Sequence, residues 1–320
     1  MLLSTLLLIV GFVLLVKGAD WLVSGASSLA KRFNISELVI GLTIVAFGTS
    51  APELVVNVLA SFKGANDIAL GNIIGSNIFN LLFILGIAGL IYPIAVHRNT
   101  VWREIPYSMF AALVVLLMAN DVFLDGNDNN IIDRTDGIML LLFFVAFLYY
   151  AYLSIQSEDT SQEEEETKVM SGLKSGGFTL LGLVLLILGG KLVVDNAIAI
   201  AISLQISEKL IGLTIVAAGT SLPELATSCV AAYRKRSDIA IGNVVGSNIF
   251  NIFFILGISA VIGPIQYNTA FNTDVLLLIG GTVLLFGAMF VGKKHLLERW
   301  VAVVLLLIFI LYTAYLIIRN

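Results

Sequence analysis

Two six-residue stretches place carboxylates where a membrane helix would ordinarily carry apolar residues. The first is Gly48-Thr49-Ser50-Ala51-Pro52-Glu53; the second, 171 residues later, is Gly219-Thr220-Ser221-Leu222-Pro223-Glu224. A carboxylate at the centre of a membrane helix costs about 2.5–3.5 kcal/mol on insertion scales, so a duplicated one marks a function. A second motif is also duplicated: Gly71-Asn72-Ile73-Ile74-Gly75-Ser76-Asn77-Ile78-Phe79-Asn80 returns as Gly242-Asn243-Val244-Val245-Gly246-Ser247-Asn248-Ile249-Phe250-Asn251. Asn72, Ser76 and Asn80 stand four apart and therefore share one helix face. Ser76, Asn80, Ser247 and Asn251 read as ligands or their immediate neighbours. Asn72, Asn77, Asn243 and Asn248 either join helices or line the same site. Together these residues offer carboxylate, hydroxyl and amide oxygens, with no thiolate or imidazole. Such hard donors suit Ca2+ and Na+, not Zn2+ or Cu+. Glu53 and Glu224 match the charge of one Ca2+, and Na+ in its place would keep both carboxylates neutralised.

Backbone must hold these groups. Gly is favoured just past a helix C-terminus, and Pro is tolerated in the first turn of the next helix. The order Gly48, hydroxyls, Pro52 therefore predicts a helix broken near the bilayer midplane, with the break placed at the glycine. Unwinding there would free backbone carbonyls, tolerable in a membrane only beside protein or a polar cavity, and Ala46 and Ala217 are the expected carbonyl donors. Gly71 and Gly75 form a G-x-x-x-G pair that permits close helix contact.

The chain has 320 residues, 58% hydrophobic and only 12% charged, against about 25% charged in soluble domains. Nearly continuous apolar runs, each close to the ~20 residues that cross a bilayer, make it an all-α polytopic membrane protein. Hydropathy gives ten spans, at about 2–30, 37–61, 68–91, 103–120, 136–155, 177–203, 209–233, 238–262, 273–292 and 296–318. The N-terminal run has no basic n-region or small-residue cleavage site and reads as the first span. The single cysteine, Cys229, has no partner for an intramolecular disulfide, and the two histidines, His97 and His295, fall in connecting segments. Those counts disfavour a His/Cys metal centre or a His-based catalytic dyad, and nothing points to nucleic acid, a cofactor or an obligatory protein partner.

With both termini outside, twelve Lys and Arg lie in inner loops and four in outer ones, the bias expected of that orientation in a cell membrane. Asp121 to Asp136 is rich in Asp, Asn and Gly, yet lacks the Gly and closing Glu of an EF-hand, and reads as a solvated turn. The run Glu163 to Glu166 lies in an acidic linker, 156–175, expected on the cytoplasmic side between a first unit, 1–155, and a second, 176–320. Lys17, Asp20, Lys191 and Asp195 are intramembrane charges read as pairs that reach towards helix ends. Aligned at the offset of 171, Asn34 to Ile87 and Gln205 to Ile258 share 33 identities in 54 positions. Five spans per half is an odd number, so the halves should enter the membrane from opposite sides, as inverted repeats. The long glycine-interrupted spans one and six, which carry less of the polar constellation, are candidates for the moving elements.

The paired G-T-S-x-P-E and G-N-x-x-G-S-N-I-F-N motifs closely resemble the alpha repeats of the sodium/calcium exchanger family, part of the cation/calcium antiporter group. The resemblance extends to the ten-span plan and the acidic loop. It implies an alternating-access antiporter, not an enzyme, that moves Na+ one way and Ca2+ the other. Carried over by motif, Glu53 and Glu224 would be shared ligands of Ca2+ and Na+. Thr49, Ser50, Thr220 and Ser221 would be Na+ ligands, with the carbonyls of Ala46 and Ala217 and with Ser76 and Ser247. Asn80 and Asn251 would line the central site. K+-dependent relatives carry Asp at the position of Asn251, so the asparagine here speaks against K+ coupling. The large regulatory domains of animal exchangers have no room in the short linker.

Other readings compete. A desolvated glutamate can carry a proton, which allows Ca2+/H+ antiport, although the hydroxyl-rich motifs favour Na+. A cation channel would need a continuous path, whereas midplane helix breaks suit alternate exposure of one site. An intramembrane hydrolase built on Ser50 or Ser221 lacks a placed base.

Overall fold

The computed structural model describes residues 2–124, 129–157, 170–204 and 217–319. Within these it is built almost wholly of long apolar helices: α1 (Leu2–Phe33), α2 (Glu37–Thr49), α3 (Ala51–Phe62), α4 (Asn66–Ile91), α5 (Thr100–Met118) and α6 (Arg134–Ser157). The second half adds α7 (Gly172–Ser203), α8 (Leu222–Tyr233), α9 (Ser237–Ile262), α10 (Thr269–Ala288) and α11 (Arg299–Arg319). Eight are long and apolar enough to cross a membrane, or nine candidate spans when the bent pair α2 and α3 counts as one. The expected seventh span is represented by α8 and the short turn Ala217–Gly219; its beginning, with most of the acidic linker and Asp125 to Asp128, lies outside the described residues.

Two short antiparallel ladders tie the connections on the two ends of the bundle. Ile94–Ala95 (β1) pairs with Leu296–Leu297 (β4), and Ile131–Ile132 (β2) with Ile265–Gln266 (β3). The first lies on the end that carries most basic residues, called the basic end below.

Helices α4 and α9 are the most enclosed, with 78% of their apolar windows buried against 17–44% for the other unbroken spans. Both contain widened π-turns, Phe79–Ile84 and Phe250–Leu256, where ordinary α-hydrogen bonding would be expected from sequence. Such turns often occur at functional sites because they redirect a side chain. Outside this centre, α1 and α7 run antiparallel in close contact. Gly11, Gly18 and Gly25, seven apart, face Gly189, Gly182 and Ser175; a Cβ on Gly18 would sit 2.8 Å from the Gly182 carbonyl oxygen. The seam explains why these two spans carry so many glycines.

Candidate functional site

The helix break is present, and its position corrects the expectation. The axes of α2 and α3 differ by 48°, and the hinge residue is Ser50, at φ −80° and ψ 7°, with Pro52 in the first turn of α3. Gly48 lies inside α2 and does not terminate it. A Cβ there would run into the side chain of Leu183, and one on Gly219 into Val194, so both glycines admit the close approach of α7. Nor does the bend free the Ala46 carbonyl: it accepts the Ser50 N–H at 3.0 Å and the Thr49 hydroxyl at 3.3 Å. Ala217 begins the described turn of the second half, and the residues before it are outside the described set.

The G-x-x-x-G expectation also divides. A Cβ on Gly242 would lie 3.0 Å from the Leu38 carbonyl and one on Gly246 2.7 Å from that of Leu42, so α9 rests on the α2 backbone. Gly71 comes no nearer than 3.9 Å to the Phe271 ring, and Gly75 meets nothing within 4 Å among the described residues. The stretch that matches Leu38 to Leu42 at the 171 offset, 209–213, is not among them.

At the centre the two halves exchange hydrogen bonds in matched pairs. Ser50 donates to Glu224 Oε1 at 2.9 Å, and its counterpart Ser221 donates to Glu53 Oε1 at 2.8 Å. Thr49 donates to Asn243 Oδ1 at 3.0 Å, and Thr220 to Asn72 Oδ1 at 3.2 Å. Asn80 Nδ2 donates to Asn248 Oδ1 at 3.2 Å, and Asn251 Nδ2 to Asn77 Oδ1 at the same distance. Each bond maps onto its mate when 171 is added to the residue numbers of the first half, as for a self-complementary contact between two copies. Asn72, Asn77, Asn243 and Asn248 thus join helices, each accepting from a side chain of the other half.

Ser76 Oγ lies 3.1 Å from Ser221 Oγ, which brings the serine of α4 against the Glu53 hydrogen bond. Its counterpart Ser247 is fully buried without a partner among the described residues. Glu53 and Glu224 are 1% and 0% exposed and close enough to interact electrostatically. One oxygen of each carboxylate is held by a hydroxyl from the other half. Among the described residues the second oxygens, Glu53 Oε2 and Glu224 Oε2, have no donor, nor have Asn80 Oδ1 and Asn251 Oδ1. Buried acceptors are almost always satisfied. Four of those that are not, two of them carboxylate, belong to residues of the duplicated motifs. The nitrogens of Asn72 and Asn77 are likewise unpartnered. No cluster of three or more His, Cys, Asp or Glu occurs among the described residues.

Two participants escape the motif reading. Asn57, fully buried one turn beyond Glu53, donates to the Glu53 carbonyl at 2.9 Å, and Ser228, one turn beyond Glu224, accepts from Asn243 Nδ2 at 2.9 Å. Their i+4 spacing from the glutamates is the signal in the sequence that finds them. The intramembrane charges pair differently from expectation: Asp20 binds Arg234, not Lys17, because the end of α8 comes down beside α1. Among the described residues neither Lys17 nor Lys191 forms an ion pair.

Comparison with known proteins agrees with this geometry. The profile of the family described as sodium/calcium exchanger protein matches residues 3–153 and 174–318. The sodium/calcium exchanger MaX1 of Methanosarcina acetivorans is 32% identical, with 96% of each chain covered. The putative antiporter CaxA of Alkalimonas amylolytica is 38% identical over 98% of each. A structure of the sodium-calcium exchanger NCX_Mj soaked with 10 mM Na+ and zero Ca2+ superposes with a TM-score of 0.82 at 33% identity, covering 98% of both chains. With the site's matched halves and both stretches of the profile in place, the chain belongs to the sodium/calcium exchanger family.

Proposed function

We propose that this protein is a secondary antiporter that exchanges Na+ for Ca2+ across a cell membrane by alternating access. The observation that carries the reading is four buried acceptors of the repeated motifs that have no donor among the described residues: Glu53 Oε2, Glu224 Oε2, Asn80 Oδ1 and Asn251 Oδ1. Ca2+ takes six to eight oxygens at 2.3–2.6 Å in flexible geometry, and two carboxylates neutralise it. The amide oxygens of Asn80 and Asn251 and the hydroxyls of Ser76 and Ser247 extend the cage without adding charge. Na+, with half the charge, uses the same carboxylates together with Thr49, Ser50, Thr220 and Ser221 and the carbonyls of Ala46 and Ala217. Ala46 becomes available by exchanging its Thr49 hydroxyl for the ion. With neither ion present, two negative charges face each other out of water, a state that opposes passage of the empty carrier and couples the two fluxes.

In this reading the chain forms ten spans as two inverted five-helix repeats, 1–155 and 176–320, joined by the acidic linker 156–175. Residues 209–216 complete the seventh span with α8. The sequence-repeated contacts support that arrangement, and the lysine and arginine bias supports both termini outside with the linker cytoplasmic. Glu53→Gln, reconstituted in vesicles, tests the site. Ca2+ uptake should fall to background while the protein stays folded by circular dichroism and gel filtration. Wild-type uptake in that variant would remove Glu53 from the site.

A further inference from the structure

The two halves of the sequence repeat each other, yet the helices built from them do not pack alike. Helix α1 lies along α8, and α7 also touches α8. At the 171 offset these contacts should recur between α7 and α3 and between α1 and α3. Both are almost absent, although all three helices are described. The α1–α7 pair therefore leans towards the basic end and leaves the opposite end slack. Elsewhere on that slack end a surface pocket opens between Gly64 to Ile68 and Gln266 to Asn268. The places equivalent to its walls at the basic end are bridged: His97 meets Asp238 at 3.1 Å and the Ala95 N–H donates to Ser237 at 3.3 Å.

The charges follow the same asymmetry. At the basic end, Arg234 at the C-terminus of α8 binds Asp20 of α1 and donates to Ser24 one turn on. Arg236 pairs with Glu37 at 3.2 Å. The counterparts of Asp20 and Arg234 are Lys191 and Lys63, two cations; those of His97 and Asp238 are Asn268 and Asp67; that of Arg236 is the uncharged Ala65. Among the described residues neither Lys63 nor Lys191 is in an ion pair. Among the described residues, ion pairs thus stand only at the basic end. Of the ion pairs described there, Asp20 with Arg234 joins α1 to α8, and Lys31 of α1 also acts electrostatically on Glu37 of α2.

We propose that Asp20 and Arg234 are positioning residues of the transport cycle: their ion pair holds the α1–α7 pair against α8, and the lysines at the equivalent place withhold the opposing hold. The chain is thereby biased towards the conformer closed at the basic end, and the pair must break each time that end opens. This rests on alternating access as proposed above. A partly exposed ion pair, at 37% and 35% exposure, shifts a two-state equilibrium modestly, by about two- to fivefold.

The test reads conformation and needs no transported ion, so its outcome is separable from that of the Na+/Ca2+ assignment. Spin labels on Leu59→Cys in α3 and Leu188→Cys in α7, both exposed sites, in a Cys229→Ala background, report the α3–α7 distance in lipid nanodiscs. Asp20→Asn and Arg234→Gln should each enlarge the short-distance population about two- to fivefold. The swap of Asp20→Arg with Arg234→Asp should restore the original distribution. Lys191→Asp, which supplies a partner for Lys63, should shift it in the same direction as the single variants. Unchanged distributions in the single variants, or a shift that the swap does not reverse, would overturn the proposal. So would a Lys191→Asp distribution identical to wild type.

Discussion

Ser50 and Ser221 each donate across the molecule to the glutamate of the other half, and each sits at or beside a helix start where its own backbone is bent. Their hydroxyls hold one oxygen of each carboxylate, and among the described residues nothing donates to the other. A hydrogen bond to a charged group contributes roughly 1.5–3 kcal/mol, so Ser50→Ala should weaken Na+ binding about tenfold or more. The check is the Na+ concentration that half-inhibits Ca2+ uptake, which should rise without loss of folded protein. Acid acts on the same atoms. Protonating Glu53 or Glu224 removes a negative charge and an acceptor, so uptake should decline as pH falls, and raised Ca2+ should recover it. Loss that excess Ca2+ does not relieve would place the proton elsewhere. These residues stood out in the sequence because a carboxylate, a hydroxyl and a proline are costly in an apolar run. The direction of each bond did not, since it joins residues 168 and 174 apart and depends on how the halves face one another.

Among the elements, the wide turns of α4 and α9 left no trace in residue type: Phe79–Ile84 and Phe250–Leu256 read as ordinary apolar helix. They arise from packing at the enclosed centre and carry Asn80 and Asn251 near their start. The glycines were visible, but their purpose was not. Gly48 looked like a helix terminator and instead makes room for Leu183, because the chain can bend at Ser50 once Pro52 supplies the next helical φ. The α1–α7 seam gives a direct test. Gly18→Ala would place a Cβ 2.8 Å from the Gly182 carbonyl, where backbone and not a flexible side chain must yield. The expected cost is about 1–3 kcal/mol, read as a lower melting temperature in detergent. Gly176→Ala on α7, with nothing within 4 Å of the added methyl, should be neutral or slightly stabilising.

For the whole molecule, the offset of 171 singled out the repeated residues that meet at the centre, and the structure adds the matched hydrogen bonds between them. It could not foretell the leaning of α1 and α7, because identical motifs in two halves are compatible with closure at either end. That choice is made by residues outside the motifs, Asp20 and Arg234 against Lys191 and Lys63, which read singly as ordinary surface or helix-end charges. In the proposed cycle one cage with two carboxylates serves Na+ and Ca2+ in turn. Purified protein in vesicles loaded with Na+ and diluted into Na+-free medium with radioactive Ca2+ tests it most directly. Uptake should be rapid when Na+ is inside, fall to background when choline replaces it, and persist with the pH gradient collapsed. Uptake that follows a pH gradient and ignores Na+ would contradict the claim.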